Sequence, residues 1–423
     1  MLMILGIQGT ANAWEIKTTN DGTPIRWLDG AVPIDLDFSA ELYGIHSQDA
    51  EAATRAAFAS WGTMVSSHLA IAFETGETGL GTGRDGLNVV RWGTDAADEF
   101  VDPVALGTTY LTYKTSTGQI LEADIVVNGV DYEWTIVEGE CSDRYDLQNI
   151  LAHETGHLLG IAHSVDHKES TMYPSAGMCE TKKRALATDD QEAISFLYTS
   201  IALEAPGSIT EEFLGCQTSG GTGLWGALAL LLALGAVRKR RLVAPLFLVA
   251  PSAALLLVAN LGSADASTLF QLQPSELVTQ ADAIVQGVVF KQEVVLRNEQ
   301  PMTVSTIAVS GCADGSCPAT VTVVQLGGET PDIGLIVSGV HHLDVGREVI
   351  LFLRSTKAGL TPVGRSQGIF EVSRVKGAEI VTRDLRGSVL TRSGEAKEGS
   401  RKSMRRTQFD DIFGRKLLKY KAP

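Results

Sequence analysis

The chain has 423 residues, of which 44% are hydrophobic and 20% are charged, a composition typical of folded domains. A chain of this length is too long to fold around one ordinary hydrophobic core, so we expect two domains with connecting segments. The formal net charge of −15 disfavours nucleic acid as the main partner, because phosphate binding requires a basic face. The charge is uneven, since residues 391–423 hold ten Lys or Arg against four Asp or Glu and predict a solvated basic tail.

The first thirteen residues predict a truncated signal peptide. Met1–Ile7 is apolar, and Ala11–Ala13 has the small-x-small form that signal peptidase cleaves, directly before Trp14. Because the apolar run is short and no basic residue precedes it, we interpret residues 1–13 as the remainder of a longer signal. This interpretation predicts an exported protein.

Five cysteines are present, and in an exported protein they predict two disulfides and one spare thiol. Cys141 and Cys179 bracket a histidine-rich segment, so one bridge can join the loops around it. Cys312 and Cys317 can close a small loop, which leaves Cys216 unpaired. In a cytosolic protein the same residues would be free thiols, so the prediction depends on export.

Residues 14–200 are expected to form one α+β domain. Alternating apolar and polar residues predict strands, and apolar residues at helical spacing predict three helices. The predicted strands are Val32–Phe38, Ala70–Glu74, Gly86–Trp92, Gly107–Tyr113 and Ile120–Asn128. The predicted helices run from Ser47 to about Ser67, from Ser142 or Asp143 onward, and from Thr188 to near Tyr198.

The segment His153–His163 contains a pattern of metal ligands. On a helix, His153 and His157 lie one turn apart on the same face, so both imidazoles can reach one ion. Gly160 lets the chain leave the helix in a conformation that other residues resist, and the turn then brings His163 as a third ligand. Three protein ligands leave a coordination position for water, the arrangement of a catalytic rather than a structural zinc.

Glu154 is the candidate general base. It is offset by one residue from His153, so it can lie beside a zinc-bound water rather than on the metal. Zinc lowers the pKa of such a water to about 7, and Glu154 then takes the proton as the water attacks a peptide carbonyl. The alternative, a helix with three surface histidines and no metal, is disfavoured by a second motif downstream.

That second motif is the segment Ser170–Pro174, which follows the histidines. With it the sequence resembles the metzincin clan of zinc peptidases, in which a turn with a methionine lies beneath the zinc ligands, and Met172 matches that methionine. Ser164 after the third histidine, with Met-Tyr-Pro downstream, resembles the matrixins within this clan. The resemblance covers about residues 30–200. It implies a twisted mixed sheet with three helices, one catalytic Zn²⁺, and endopeptidase activity on proteins or peptides.

Three features of animal matrixins differ or lack a clear match. Their second, structural zinc has upstream histidines, whereas only His46 and His68 precede the motif here. We expect no propeptide cysteine switch, and a free Cys141 that inhibits the zinc is the alternative to the disulfide. Ca²⁺ is a further candidate ligand near Asp124 and Asn128, where a polar strand edge without an ion is an equal interpretation.

Residues 201–222 predict a linker rich in Gly, Ser and Thr, and residues 223–262 contain two apolar segments around a basic turn. The first segment, with Cys216 before it and Arg238–Arg241 after it, resembles the C-terminal sorting tags of some Gram-negative, myxobacterial-type surface proteins. The second resembles a signal peptide in its own right. Two alternatives stay open: a natural fusion tethered to the membrane through residues 223–262, or an artificial join of two adjacent genes.

Residues 267–390 predict a small all-β domain, either a barrel or a sandwich, and its sequence indicates no role. The predicted strands are Ala283–Phe290, Ala319–Val324, Glu348–Leu353 and Ile369–Val372.

The sequence as a whole predicts an exported, membrane-tethered zinc endopeptidase at the envelope or surface of a Gram-negative bacterium. One rival is a non-catalytic binding or adhesion protein that retains the fold. It is disfavoured because Glu154, which such a derivative most readily loses, is present. A second rival is a zinc hydrolase of non-peptide amides, against which the Met172 turn argues.

Overall fold

The computed structural model of this protein describes residues 14–28, 30–62, 69–75, 78–164, 166–199, 268–313, 317–385, 389–392, 395–398, 401–414 and 419–420. The predicted signal peptide, the linker, both apolar segments and Cys216 lie outside these residues. Where the chain is described, no helix combines the length and the apolar character needed to cross a membrane. The described residues before 203 and after 262 belong to one compact unit.

A mixed sheet forms the framework of the N-terminal region. Its strands are β1 (Gly30–Asp37), β2 (Leu69–Thr75), β3 (Val89–Gly93), β4 (Gly107–Lys114) and β5 (Ile120–Asn128). In the order β4-β5-β3-β1-β2, β4 is antiparallel to β5 and the other neighbours are parallel. All five predicted strands are present, with small shifts at their ends. Two short strands, β6 (Trp134–Thr135) and β7 (Tyr145–Asp146), pair with each other.

Three helices accompany this sheet, as the sequence predicts: α1 (Ser47–Gly62), α2 (Leu147–Leu158) and α3 (Thr188–Thr199). The predicted start of α2 at Ser142 or Asp143 is wrong, because the helix begins after Asp146. The Asp146 carboxylate accepts a hydrogen bond from the Asn149 amide at 2.8 Å and so satisfies one of the amides left free at a helix start.

The contact between α1 and α2 holds the helix that carries the histidines. Ala53, Ala57 and Trp61 of α1 are buried, as their helical spacing predicts. The Trp61 indole N–H donates to the Ala152 carbonyl of α2 at 2.8 Å. A buried indole N–H costs free energy unless it finds an acceptor, so this bond fixes the relative position of the two helices.

The described residues of the C-terminal region form two α-helices and fourteen strands. In chain order they are β8 (Thr268–Phe270), α4 (Pro274–Gln280), β9 (Ala283–Arg297), β10 (Gln300–Cys312), β11 (Thr320–Leu326), β12 (Gly328–Glu329), β13 (Ile333–Val337), β14 (Glu348–Thr356), β15 (Gly359–Pro362), β16 (Ile369–Val375), β17 (Ala378–Asp384), β18 (Val389–Arg392), β19 (Glu395–Glu398), β20 (Arg401–Arg405), α5 (Arg406–Phe413) and β21 (Lys419–Tyr420).

Five of these strands close into a barrel. They follow one another in the order β9-β10-β11-β15-β14, and β14 pairs with β9 to complete the circle. Of the two predicted architectures, barrel or sandwich, the structure therefore has the barrel. Strands β16, β17 and β20 extend the sheet outward from β14.

Residues 401–413 of the predicted basic tail are largely exposed to solvent, but they are folded into a strand and a helix. Strand β20 pairs with β17 along its whole length, with Met404 opposite Val381. In α5, Phe409 is fully buried against Phe370 and Phe413. Burial of Phe409 anchors the segment, while the charged side chains around it stay at the surface.

The two expected domains share a sheet in the structure. Strand β13 of the C-terminal region pairs with β4 of the N-terminal sheet, and β12 continues beyond it. The seven-stranded sheet thus has the order β12-β13-β4-β5-β3-β1-β2. An uncovered edge at β4 would expose a row of unpaired N–H and C=O groups, which β13 satisfies.

Both predicted disulfides are present. Cys141 and Cys179 are separated by 38 positions in the sequence and join the segment before α2 to the loop after Met172. Closing a loop of this length stabilises a fold by roughly 3–4 kcal/mol. Cys312 and Cys317 close a short loop in the C-terminal region. The alternative with a free Cys141 is therefore not the arrangement in the structure.

Candidate metal centre

Three histidines converge at the C-terminal end of α2. His153 and His157 lie one helical turn apart, and the chain leaves the helix at Gly160, whose φ of +93° is in the left-handed region. The turn brings His163 back to the other two, so that one ligand atom of each lies within 4.8 Å of the others. Within the described ranges, these three form the one group of His, Cys, Asp or Glu side chains with this property.

The hydrogen bonds of two imidazoles direct their lone pairs to one point. The Nδ1 of His153 lies 2.7 Å from the Thr171 carbonyl, and the Nδ1 of His157 lies 2.9 Å from the Ile161 carbonyl. Because a carbonyl only accepts, each Nδ1 carries the proton and each Nε2 presents a lone pair. Both Nε2 atoms lie 2.9 Å from the Nε2 of His163. This set of converging imidazole nitrogens fits a zinc ion.

The environment of the three imidazoles favours their neutral form. Burial lowers the pKa of His153, His157 and His163 well below its ordinary value, and nearby cations such as Lys183 act in the same direction. A neutral imidazole is the form that binds a metal, so no proton has to be removed before zinc can bind.

Glu154 lies on α2 beside the histidines, as the sequence predicts. Its carboxylate accepts a hydrogen bond from the Thr109 hydroxyl of β4, with 2.7 Å between Oγ1 and Oε2. Burial raises the pKa of Glu154 to about 7, whereas the bond from Thr109 acts in the opposite direction. A carboxyl with such a pKa can both accept and release a proton near neutral pH, which a general base requires.

A buried carboxylate fixes the loop beneath the histidines. Asp190 of α3 accepts hydrogen bonds from the Ser170 hydroxyl at 2.5 Å, the Thr171 amide at 2.7 Å and the Met172 amide at 3.1 Å. The Thr171 carbonyl that orients His153 is held in place by these bonds. From sequence, Asp190 is identifiable only as part of the start of a helix.

Met172 packs directly against α2, where the family resemblance expects its methionine. A Cβ atom at Gly156 would lie 2.2 Å from Sδ of Met172 and 2.7 Å from the Trp61 ring. Only glycine at this position leaves room for the two side chains. Gly156 and Thr109 are thus contributors to the site that sequence reasoning missed, because neither carries a metal-ligand or catalytic pattern of its own.

Gly160→Ala is expected to destabilise the domain by about 2–4 kcal/mol, because a left-handed backbone and a crowded site add their costs. The new Cβ would lie 2.1 Å from the Ile25 carbonyl oxygen. Gly22→Ala is the matched control, since Gly22 has a φ of +83° but no atom within 4 Å of its would-be Cβ. Denaturant unfolding of both variants measures the difference. Equal losses of stability would contradict a role for the packing against Ile25.

The candidate calcium residues are engaged within the protein. Asp124 accepts backbone hydrogen bonds from Gly83 and Val89, at 2.8 and 2.9 Å. The Asn128 side chain bonds to the Asp102 carbonyl at 2.9 Å and to the Asp131 carboxylate at 3.0 Å. Burial raises the pKa of Asp124 to about 8. Calcium at these residues stays a prediction.

The mixed sheet, the helix with two histidines and the third histidine after a glycine turn define an α+β domain with a site that fits zinc. Residues 32–199 match the matrixin family model, so this part of the chain is a matrixin domain. The match ends before the C-terminal region begins.

The curated relatives are similar over part of their length. Metalloendoproteinase 1-MMP of Arabidopsis thaliana is 28% identical over 181 residues, which are 42% of this chain and 45% of the relative. Matrix metalloproteinase-18 of Xenopus laevis is 40% identical over 68 residues, 16% of this chain and 14% of the relative. Metalloendoproteinase 1 of Glycine max is 40% identical over 63 residues, 15% of this chain and 20% of the relative. The chain thus spans less than half the length of each.

Proposed function

We propose that the protein is a zinc-dependent endopeptidase that hydrolyses peptide bonds of proteins. In this proposal His153, His157 and His163 hold one zinc ion and Glu154 is the general base. The observation that carries it is the convergence of three imidazole nitrogens, with two separations of 2.9 Å, beside a carboxylate on the same helix. The matrixin match and the metalloendoproteinase names of the relatives support the same activity.

A zinc ion held by the three imidazoles would supply a Lewis acid and lower the pKa of a water molecule to about 7. Glu154 accepts a proton from the attacking water, whose oxygen forms a bond to the peptide carbonyl carbon. The same carboxyl then gives this proton to the amide nitrogen as the C–N bond breaks, which leaves a carboxylic acid and an amine. Thr109 positions the carboxylate through its hydroxyl group, at 2.7 Å.

Two other functions are less well supported. A binding or adhesion protein has no need of a general base, yet Glu154 is held by a specific hydrogen bond at the metal centre. A zinc hydrolase of non-peptide amides would use the same residues, but the matrixin match and the packing of Met172 beneath α2 favour a peptidase.

We further propose that the protein acts outside the cytoplasm, at the envelope or surface of a Gram-negative bacterium. The Cys141–Cys179 and Cys312–Cys317 bridges support this proposal, because disulfides persist in oxidising compartments. A membrane tether through residues 223–262 belongs to the same proposal and rests on their apolar sequence.

Metal analysis and proteolysis with the full chain test the proposed activity. We expect about one zinc per chain, as one three-histidine site predicts. We also expect new amino termini within denatured casein, which mass spectrometry identifies. Chelation should abolish the cleavage and added zinc should restore it. A chain that binds no zinc would favour the binding protein, and a zinc-loaded chain that cleaves only non-peptide amides would favour the second rival.

A further inference from the structure

The outer edge of β4 is occupied by a strand from the C-terminal region. In the antiparallel pairing of β13 with β4, Ile333 lies opposite Lys114 and Val337 lies opposite Tyr110. The ladder continues at both ends, with the Thr115 amide donating to the Asp332 carbonyl and the Ser338 amide donating to the Thr109 carbonyl. The occupied edge therefore extends to Thr109, the residue whose hydroxyl binds Glu154.

A buried arginine of the C-terminal region also contacts β4 and the end of β13. The Arg365 guanidinium forms an ion pair with Asp102 at 2.6 Å and donates to the Thr108 hydroxyl at 2.7 Å. It donates as well to the Ser338 carbonyl, at the end of β13. Arg365 thus links β13 to the strand residues next to Glu154.

The three histidines and Glu154 are buried in the structure. The exposed fractions are 3% for His153, 5% for Glu154, 1% for His157 and 1% for His163. A polypeptide substrate has to bring its carbonyl group to these side chains, so part of the structure that buries them has to open. Extended peptides commonly bind a protein by adding a strand to a free sheet edge. At β4, the strand beside Glu154, that edge is filled by residues 333–337.

We propose that the C-terminal region holds the metal centre latent by occupying with β13 the edge of β4 on which an extended substrate would lie. This inference rests on the proposed peptidase function. Polar contacts contribute to the closed state, including the bond from the Tyr113 hydroxyl to Glu329 at 2.6 Å. Leu335 and Val337 add a small apolar cluster with Tyr110 and Val126. Separation of β13 from β4 would free a row of backbone groups for a substrate with no change in the histidines.

Ile336→Pro tests the role of the strand in the full chain. Antiparallel ladders alternate between hydrogen-bonded and non-bonded pairs. The bonds at residues 332 and 338 therefore direct the Ile336 amide at the Leu111 carbonyl. Proline at this position removes the donor and places a ring against β4. Ile336→Ala is the matched control, because it removes the same side chain and keeps the amide.

Two measurements follow for each variant after its zinc content is confirmed. Casein hydrolysis by Ile336→Pro should exceed that of the wild type at least about tenfold, and Ile336→Ala should change it less than about threefold, given the usual net strength of backbone hydrogen bonds. Hydrogen exchange at the Leu111 and Tyr113 amides, which face β13, should be faster in Ile336→Pro. Exchange at Val126 in β5 serves as the internal reference.

The outcomes separate the two proposals. Faster exchange with faster hydrolysis supports latency. Faster exchange with measurable but unchanged hydrolysis overturns latency and leaves the peptidase in place. Faster exchange in a zinc-loaded variant that cleaves no casein overturns the peptidase function itself. If Ile336→Pro fails to fold, Glu329→Ala removes the acceptor of the Tyr113 hydroxyl and should shift both readouts in the same direction. Unchanged exchange and hydrolysis in that variant would also overturn latency.

Discussion

Glu154→Ala is expected to reduce peptide hydrolysis more than about a hundredfold while zinc stays bound, because general-base catalysis contributes about that factor. Glu154 is not one of the three residues whose nitrogens converge. Those nitrogens contact one another and two backbone carbonyl groups, and none of these contacts involves Glu154. Its carboxylate is held instead by Thr109. Hydrolysis should be measured in the wild-type chain and again in the Ile336→Pro background, where a larger signal is expected.

Glu169→Ala is the control for the loss of a carboxylate near the site, since the Glu169 side chain is 85% exposed and forms a surface ion pair with Lys182. We expect unchanged hydrolysis in this variant, because such surface pairs contribute little. Zinc analysis has to accompany the rate measurements. Loss of zinc from Glu154→Ala, or activity above about a hundredth of the wild type, would refute the assignment of Glu154 as the general base.

His157→Ala is expected to lose both the zinc and the hydrolysis. Two nitrogen ligands hold zinc far more weakly than three, and the remaining imidazoles would face a cavity. His157 is central to the cluster, since its Nε2 lies 2.9 Å from that of His163 and its Nδ1 is fixed by the Ile161 carbonyl. Binding of zinc also stabilises the folded state by mass action, so the variant should melt at the same temperature with and without added zinc.

His167→Ala is the matched control, because His167 is an exposed histidine four positions after His163 and lies outside the cluster. It should keep the zinc, the hydrolysis and the rise of the melting temperature with zinc. Measurement of metal content, casein cleavage and thermal unfolding for both variants distinguishes the ligand from its neighbour. Zinc retained at the wild-type level by His157→Ala would refute the assignment of this ligand.

The three converging histidines are the part of the fold that the sequence predicts best, and the reason is local geometry. The spacing of His153 and His157 needs only a helix to bring both rings to one face. Gly160 needs only its own φ to redirect the chain. The five predicted strands and three helices of the N-terminal region follow from apolar periodicity, because the spacing of apolar residues shows which face of a single strand or helix is buried.

Element ends were less well predicted, because they depend on contacts between segments. Helix α2 begins at Leu147, later than predicted. The side chain of Asp146 caps the helix, and the backbone of Asp146 pairs with β6. Charge dominates the composition of the basic tail and by itself favours a frayed segment. Pairing of β20 with β17 and burial of Phe409 incorporate its residues 401–413 into the fold instead.

The sequence by itself determined which residues can hold a metal, since ligand type and spacing within His153–His163 depend on one helix and one turn. Only the tertiary structure decided what surrounds them. Thr109 lies 45 positions from Glu154, and Arg365 lies 257 positions from the Thr108 that it contacts. Pairing of β13 with β4 depends on the register between distant backbone segments, which side-chain periodicity does not encode. Local patterns therefore predict the candidate ligands, and long-range backbone pairing determines that the edge of β4 is occupied.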